Sequence, residues 1–147
     1  MIPVIPRAEM LLQDRVAIVT GGGRGIGRAI ALRFAAEGAR VFLAARTGCE
    51  LEAVVREIQT AGGQSAFVAA DVSRAADCRQ IVDGARAAFG AIHILVNNAG
   101  IYGPMLPAEE ITPEEWDEVM AVNLRGPFLL ARLVLCGNVP TRFRRDS

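Results

Sequence analysis

Short apolar runs alternate along the chain with longer segments in which apolar residues recur at helical spacing. The apolar runs predict four buried strands, near 15–20, 40–45, 65–70 and 92–97. The periodic segments predict four helices, near 25–37, 49–61, 74–89 and from about 113 onward. Repeated strand–helix units favour a parallel sheet with helices on both faces, and right-handed crossovers predict the strand order 3-2-1-4.

Residues typical of helix ends stand at the expected boundaries. Gly38, Gly62 and Gly90 each follow a helical pattern, where a residue with left-handed backbone ends a helix. The segment Thr112-Pro113-Glu114-Glu115 predicts a helix start with a capping threonine, a proline in the first turn and a glutamate that completes a capping box. We expect one domain over residues 1–147, with residues 137–147 as a disordered tail because they have little apolar content.

Composition and charge exclude several classes of protein. Hydrophobic residues make up 52% of the 147 residues, and 16 Lys plus Arg balance 16 Asp plus Glu. This balance favours neither a nucleic acid nor a membrane surface as a partner. Three cysteines without a Cys-x-x-Cys pair indicate no disulfide framework and no metal site, so we expect a cytoplasmic protein. The sequence shows no signal peptide pattern, and no apolar stretch reaches the ~18 residues of a membrane span.

A glycine-rich segment joins the first predicted strand to the first predicted helix. In this context glycines let the backbone approach a diphosphate, and the helix N-terminus attracts its charge. A tight turn alone also requires glycine, but the strand–loop–helix arrangement favours an anion site. A nucleoside triphosphate P-loop is excluded because Gly27 is followed by Arg28-Ala29 rather than by Lys and Ser or Thr. We therefore predict ligand contacts from Thr20, Gly21, Gly23, Arg24, Gly25, Ile26 and Gly27.

Together with three later segments, this loop resembles the short-chain dehydrogenase/reductase family, and in particular 3-oxoacyl-carrier-protein reductases. The pattern Thr-Gly-x-x-x-Gly-x-Gly at 20–27 is followed by Asp71-Val72, by Asn97-Asn98-Ala99-Gly100 and by Asn123, each after or within the expected element. The resemblance covers roughly residues 12–135. It implies the N-terminal half of a Rossmann-type three-layer α/β sandwich. It also implies an oxidoreductase that interconverts small carbonyl and alcohol substrates.

The resemblance assigns the later segments to the cofactor. In the family, the residue equivalent to Asp71 contacts adenine, and those equivalent to Asn98-Ala99-Gly100 lie beside the ribose. Val72, next to Asp71, is also predicted to contact the cofactor. From the residues alone, Asp71 fits a helix-capping acid equally well. Asn97 and Asn98 follow a predicted strand, so their amides should lie in the crevice where ligands bind in open α/β sheets.

The end of the second predicted strand predicts which nicotinamide cofactor is bound. An NAD site usually places Asp or Glu there to bind the ribose 2′-hydroxyl. Here the strand ends in Ala44-Ala45-Arg46, without an acid. Arg46 and Arg24 can instead hold a 2′-phosphate through paired hydrogen bonds, and the resemblance likewise associates basic residues at these positions with NADP. We predict a preference for NADP(H) over NAD(H); two solvated surface arginines are the alternative.

Only one member of the family's catalytic set has a counterpart in this chain. Family members use an Asn, a Ser and a Tyr-x-x-x-Lys pair whose Tyr transfers a proton, and only the Asn has an equivalent, Asn123. The single tyrosine, Tyr102, is followed four positions later by Leu106, and the chain contains no lysine. Proton transfer by a positioned group is worth about a hundredfold to ten-thousandfold in rate. We therefore expect a truncated chain with no measurable turnover of its own.

Two single residues support narrower predictions. His93, a lone histidine within a predicted strand, is expected to be structural. Pro127 cannot donate to the carbonyl of Asn123, four residues earlier, which predicts a distorted helix at that point. The resemblance implies that the freed carbonyl anchors a water in a proton relay; a bend in a surface helix is the equally weighted alternative.

If the sheet ends at its fourth strand, an apolar edge and an apolar helix lack cover. The segment 92–96 is strongly apolar, and the fourth helix carries Trp116, Val119, Met120 and Phe128. We therefore expect homo-oligomerisation. A catalytically silent nucleotide-binding or interaction module that pairs with a full-length relative is the alternative function. Nucleic-acid binding through Arg142, Arg144 and Arg145 is disfavoured, because it depends on a short tail alone.

Overall fold

Four parallel strands form one sheet in the computed structural model, which describes residues 10–138. They are β1 (Val16–Thr20), β2 (Arg40–Ala45), β3 (Gln64–Ala69) and β4 (Ile94–Val96). Their order in the sheet is β3-β2-β1-β4, and all three pairings are parallel. The predicted order is therefore confirmed, and within the described residues β4 is an edge strand.

Helices connect and follow the strands as the periodicity predicted. They are α1 (Gly25–Ala36), α2 (Gly48–Thr60), α3 (Ala75–Phe89), α4 (Pro113–Met120) and α5 (Gly126–Asn138). A short 3₁₀ turn at Ala108–Glu110 precedes α4, and a π-helical turn at Ala121–Arg125 joins α4 to α5. The predicted tail starts two residues too early, since α5 includes positions 137 and 138. Residues 139–147, with the three tail arginines, lie outside the described part of the chain.

The predicted helix boundaries are confirmed in backbone geometry. Gly38, Gly62 and Gly90 have φ values of +88°, +86° and +86°, the left-handed conformation that glycine adopts without strain. At the start of α4, the Thr112 side chain accepts from the Glu115 backbone N–H, and the Glu115 side chain accepts from the Thr112 N–H. Both bonds of the capping box are thus formed.

Helices cover both faces of the sheet, which gives the predicted three-layer sandwich. One face of β1 and β2 packs against α3 and α5, through Val16, Ile18, Phe42, Ile81, Val82, Leu130 and Val134. The opposite face packs against α1 and α2, through Val19, Val41, Leu43, Ala31, Leu51, Val54 and Ile58. Since every residue of β1 is buried, this strand lies at the centre of the domain and fixes where its carboxyl end opens.

The fourth strand is shorter than the sequence predicted. It spans Ile94–Val96 rather than 92–97. On its amino side, His93 donates its backbone N–H to the Val16 carbonyl (2.9 Å) and accepts the Val16 N–H at its ring Nδ1 (3.0 Å). On its carboxyl side, the Asn98 N–H turns back to the Val96 carbonyl (3.1 Å), which ends the ladder. His93 therefore has the structural role expected for it.

The helical run Pro113–Gly137 is long and apolar enough to cross a membrane by length and composition alone, with a mean hydropathy of 1.5 in its most apolar window. The expectation that no stretch reaches this length was wrong by that criterion. These two properties do not separate a membrane span from a helix that packs on a protein core. Here Leu130 and Val134 are buried in the core beside α3.

Candidate nucleotide-binding site

A cleft of ≈390 Å³ opens at the carboxyl ends of the strands. In the sheet, β1 lies between β2 and β4, and the cleft opens beside the carboxyl end of β1. Ligands bind at this place in open α/β sheets. All the residues predicted to contact a cofactor line this cleft except Thr20 and Gly27. The motif residues that line it, from Gly21 to Gly100, are thus brought together at one edge of the sheet.

The glycine loop leaves the N-terminus of α1 open toward the cleft. Arg24 is the residue that precedes the helix, and its side chain makes no capping hydrogen bond. The first N–H groups of α1 therefore have no side-chain acceptor from the capping residue, and they carry the positive end of the helix dipole. Gly21 and Gly25 adopt φ values of +64° and +54°, which direct the loop around the space where an anion would lie.

Gly27 lies behind this loop and allows the helix to approach the first strand. A Cβ atom at this position would overlap the Gly21 carbonyl and the Asn98 side-chain amide. The last glycine of the motif is therefore required for packing between α1 and the carboxyl end of β1. A side chain here would displace the loop whose N–H groups face the cleft.

Thr20 also supports the site from behind rather than lining it. Its side chain is only 1% exposed, and Oγ1 accepts the backbone N–H groups of Asn98 (3.1 Å) and Ala99 (3.0 Å). The hydroxyl donates to the Val96 carbonyl (3.3 Å). In return, the Asn98 side-chain amide donates to the carbonyls of Thr20 (3.0 Å) and Gly21 (3.3 Å). These bonds hold the segment after β4 against the glycine loop.

Asp71 lies at the far end of the cleft, after β3. Its Oδ1 accepts the Ser73 backbone N–H (2.9 Å), while its own N–H donates to the Asp77 carboxylate (2.8 Å). Hydrogen bonding from Ser73 lowers the pKa of Asp71, with a smaller contribution in the same direction from Arg46, and burial opposes the shift. The residue that caps α3 is Arg74, so the helix-capping alternative for Asp71 is not what the structure shows. An ionised carboxylate therefore faces the cleft.

Two arginines border the cleft between the glycine loop and Asp71. Arg24 precedes α1 and Arg46 follows β2, and both are exposed. Within residues 10–138, neither belongs to any of the arginine–carboxylate ion pairs, which involve other arginines. Both guanidinium groups are therefore available to a ligand with phosphate oxygens.

Sequence reasoning missed one charged residue of the cleft, Glu50. It lies in the first turn of α2 and lines the cleft together with Arg24 and Arg46. Its Oε2 atom is 3.3 Å from the point that a Cβ on Gly23 would occupy. The available signal was Thr47-Gly48-Cys49-Glu50, a capping-box spacing that would assign Glu50 to the helix backbone rather than to a ligand.

Asn123 lies in the π-helical turn and contacts the backbone after β4. Its Oδ1 accepts the Ile101 N–H (2.8 Å), and its Nδ2 donates to the Ile101 carbonyl (2.8 Å). The neighbouring Val122, rather than Asn123, lines the cleft. The distortion predicted from Pro127 does occur at this place, since the Gly126 N–H bonds to the Ala121 carbonyl in the wider π spacing.

The strand order, the glycine loop at an uncapped helix N-terminus and the cleft beside it define a Rossmann-type nucleotide-binding domain. Comparison with known proteins places the domain more narrowly. The family model for short chain dehydrogenase matches residues 15–137. The chain therefore belongs to the short-chain dehydrogenase family, as the motifs indicated.

Individual relatives agree with this assignment. The chain is 42% identical over 123 residues to an uncharacterized oxidoreductase of Thermotoga maritima, covering 84% of this chain and 48% of the relative. A metagenomic short-chain oxidoreductase, solved in complex with NADP, is 44% identical with a TM-score of 0.81, and the match covers 85% of this chain and 57% of that one. A 3-ketoacyl-ACP reductase from Sinorhizobium meliloti is 47% identical with a TM-score of 0.80, covering 82% and 48%. The chain thus spans about half the length of the curated relatives it matches.

Proposed function

We propose that this chain is the cofactor-binding part of an NADP(H)-dependent oxidoreductase that acts on small carbonyl or alcohol substrates. The observation that carries the proposal is that an uncapped helix N-terminus and two arginines without an ion pair among residues 10–138 lie around one cleft. A diphosphate fits the first feature and a 2′-phosphate fits the second. The related metagenomic oxidoreductase solved with NADP supports this choice of cofactor.

Each part of the cofactor has residues of suitable chemistry along the cleft. The Gly21 N–H donates to the Ala44 carbonyl, so the backbone N–H groups of residues 22–26 would bind the diphosphate. Arg24 with Arg46 would bind the 2′-phosphate. Asp71 and Val72 would contact adenine, since an ionised carboxylate accepts from an exocyclic amino group. The segment Asn98-Ala99-Gly100 would lie beside the nicotinamide ribose. When bound, the cofactor supplies or accepts a hydride; the chain's own residues orient it.

Asn123 has a positioning role in this proposal. Its amide clamps both backbone groups of Ile101 and so fixes the segment that follows β4 on the cleft side. The residues that move a proton in the family, a Ser and a Tyr-x-x-x-Lys pair, have no equivalent among these 147 residues. We therefore expect the isolated chain to bind cofactor without turnover, which is also the behaviour of the alternative, a silent nucleotide-binding module.

Arg46→Ala tests the cofactor preference. Loss of charge-assisted hydrogen bonds, worth ~1.5–3 kcal/mol, should weaken NADPH binding about tenfold or more and leave NADH within about twofold. The measurement is a titration followed by nicotinamide fluorescence. Arg56→Ala is the matched control, because Arg56 pairs with Glu52 on the exposed side of α2. Equal affinity of the unchanged protein for NADPH and NADH would refute the preference.

We also propose that the chain self-associates through α4, α5 and the π-helical turn between them. Trp116, Leu124, Phe128 and Leu135 are 59%, 59%, 62% and 59% exposed, a density of large apolar side chains that indicates an interaction surface. Light scattering should give a mass above that of one 15.7 kDa chain. A monomer at micromolar concentration would contradict this proposal.

The proposed function includes neither a nucleic acid nor a membrane as a partner. The cytoplasmic location remains a prediction.

A further inference from the structure

Glu50 lies in the nucleotide cleft, and no ion-pair partner within residues 10–138 explains its position. It occupies the third position of α2, where a glutamate usually accepts the N–H of the capping residue. Thr47, the capping residue, makes no side-chain capping bond, and none of the ion pairs within residues 10–138 involves Glu50. The same Thr-x-x-Glu spacing at Thr112 and Glu115 does form both bonds of the box.

The carboxylate is close to the glycine loop because Gly23 has no side chain. A Cβ at Gly23 would lie 3.0 Å from the Glu50 Cβ and 3.3 Å from its Oε2. Arg24 follows Gly23 directly, and Arg46 lies one residue before the cap of α2. One end of the cleft therefore combines two guanidinium groups with one carboxylate, at the place proposed for the adenine ribose.

The two forms of the ribose should respond to this carboxylate in opposite ways. A 2′-phosphate carries a charge of about −1.5 to −2 near neutral pH, so a carboxylate nearby opposes its binding. A ribose 2′-hydroxyl donates a hydrogen bond, and an acid at this part of the fold is the usual acceptor for it. The second strand ends without such an acid, and α2 brings one to the same region.

We infer that Glu50 is a specificity-determining residue, whose carboxylate weakens binding of a 2′-phosphorylated ribose and supports binding of the unphosphorylated one. The inference rests on the proposed function. Arg24 and Arg46 still favour NADP(H), but the Glu50 carboxylate reduces the difference in affinity between NADP(H) and NAD(H). The cleft consequently accepts both cofactors, with a smaller discrimination than the two arginines alone would give.

Glu50→Gln tests this assignment, because it removes the charge and keeps the size of the side chain. The probes are 2′,5′-ADP and 5′-AMP, which differ only in the 2′-phosphate, together with NADPH and NADH. The affinity ratio of 2′,5′-ADP to 5′-AMP should rise about fivefold, which corresponds to ~1 kcal/mol. The rise should be smaller at high salt, since salt screens exposed charges. Isothermal titration calorimetry at pH 8 measures all four ligands.

Glu52→Gln is the matched control. It makes the same chemical change two residues away, where the carboxylate pairs with Arg56 on the exposed side of α2. The affinity ratio of 2′,5′-ADP to 5′-AMP for Glu52→Gln should stay within about twofold of the ratio for the unchanged protein. A thermal melt of each variant reports any effect on helix capping, which would weaken all four ligands alike.

The outcomes separate the inference from the proposed function. If the unchanged protein binds the dinucleotides but Glu50→Gln leaves the ratio unaltered, the role of Glu50 is overturned and the cofactor site stands. If Glu50→Gln lowers the melting temperature and weakens every ligand equally, the charge of Glu50 stabilises the fold rather than selecting a cofactor, and the inference also fails. If the unchanged protein binds none of the four ligands, the proposed function fails and takes the inference with it.

Discussion

Thr20 should contribute to stability through its hydroxyl rather than through its apolar surface. Thr20→Val keeps the shape of the side chain and removes the acceptor for the Asn98 and Ala99 N–H groups and the donor to the Val96 carbonyl. The Asn98 N–H keeps a second bond to the Val96 carbonyl. Ala99 loses the acceptor that holds it, and a polar group left unsatisfied in a buried site costs ~1–3 kcal/mol.

We therefore expect Thr20→Val to lower the free energy of unfolding by ~2–3 kcal/mol. Thr20→Ser is the control, because it keeps the hydroxyl and loses one buried methyl group, at a cost of ~1 kcal/mol. Urea unfolding followed by far-ultraviolet circular dichroism measures both. With a slope of ~2 kcal/mol per molar urea, the midpoints should fall by roughly 1–1.5 M for valine and 0.5 M for serine.

The same pair of variants reports on the site. Since the hydroxyl of Thr20 holds the Asn98-Ala99 backbone beside the glycine loop, its loss should also weaken NADPH binding under conditions where the protein remains folded. Thr20→Ser should bind nearly as well as the unchanged chain. A Thr20→Val protein as stable as Thr20→Ser, or more stable, would refute the argument that the hydroxyl organises the carboxyl end of β4.

Two further predictions concern the loop and the acid at opposite ends of the cleft. Gly27→Ala should abolish NADPH binding in a fluorescence titration, because the new Cβ overlaps the Gly21 carbonyl. At Gly25 a Cβ meets open space, so Gly25→Ala should cost only the ~1–2 kcal/mol of stability that a left-handed backbone requires of alanine. Equal NADPH binding by the two variants would contradict this. Because the folded-state pKa of Asp71 is lowered by Ser73, its stabilising contribution is present above the ordinary value of 3.8 and is lost as the pH falls through the folded value. Asp71→Asn should therefore flatten the fall in unfolding free energy below about pH 4, and an unchanged acid slope would exclude the contribution.

Much of the fold could be predicted from local sequence patterns, because the tertiary contacts do not change the elements that those patterns indicate. The first strand is apolar at nearly every position, so its burial on both faces could be predicted from residues 16–19 alone. Crossover handedness then allowed the order of the sheet to be predicted. The ends of β4 could not be predicted, because they depend on bonds from His93 to Val16 and from the Thr20 hydroxyl, both more than 70 positions away in the chain.

The role of a site residue could be predicted where the backbone conformation or close packing requires that residue type. It was harder to predict where a side chain can form hydrogen bonds with several different partners. Gly27 belongs to the first kind, since its motif position reflects a contact that no side chain would allow. Thr20 belongs to the second kind. Its place in the motif suggested a ligand contact, but the buried hydroxyl serves the backbone of a neighbouring strand.

The two Thr-x-x-Glu segments show where local sequence stops determining structure. Thr47 and Thr112 both precede the first residue of a helix, although only the segment at Thr112 was used to predict a helix start. At Glu115 the side chain returns to the capping backbone. At Glu50 the side chain lies against Gly23 instead, since that residue leaves room for it. The start of each helix is thus encoded within four residues. In contrast, the position of the Glu50 carboxylate depends on the glycine loop, which begins 29 positions earlier in the chain.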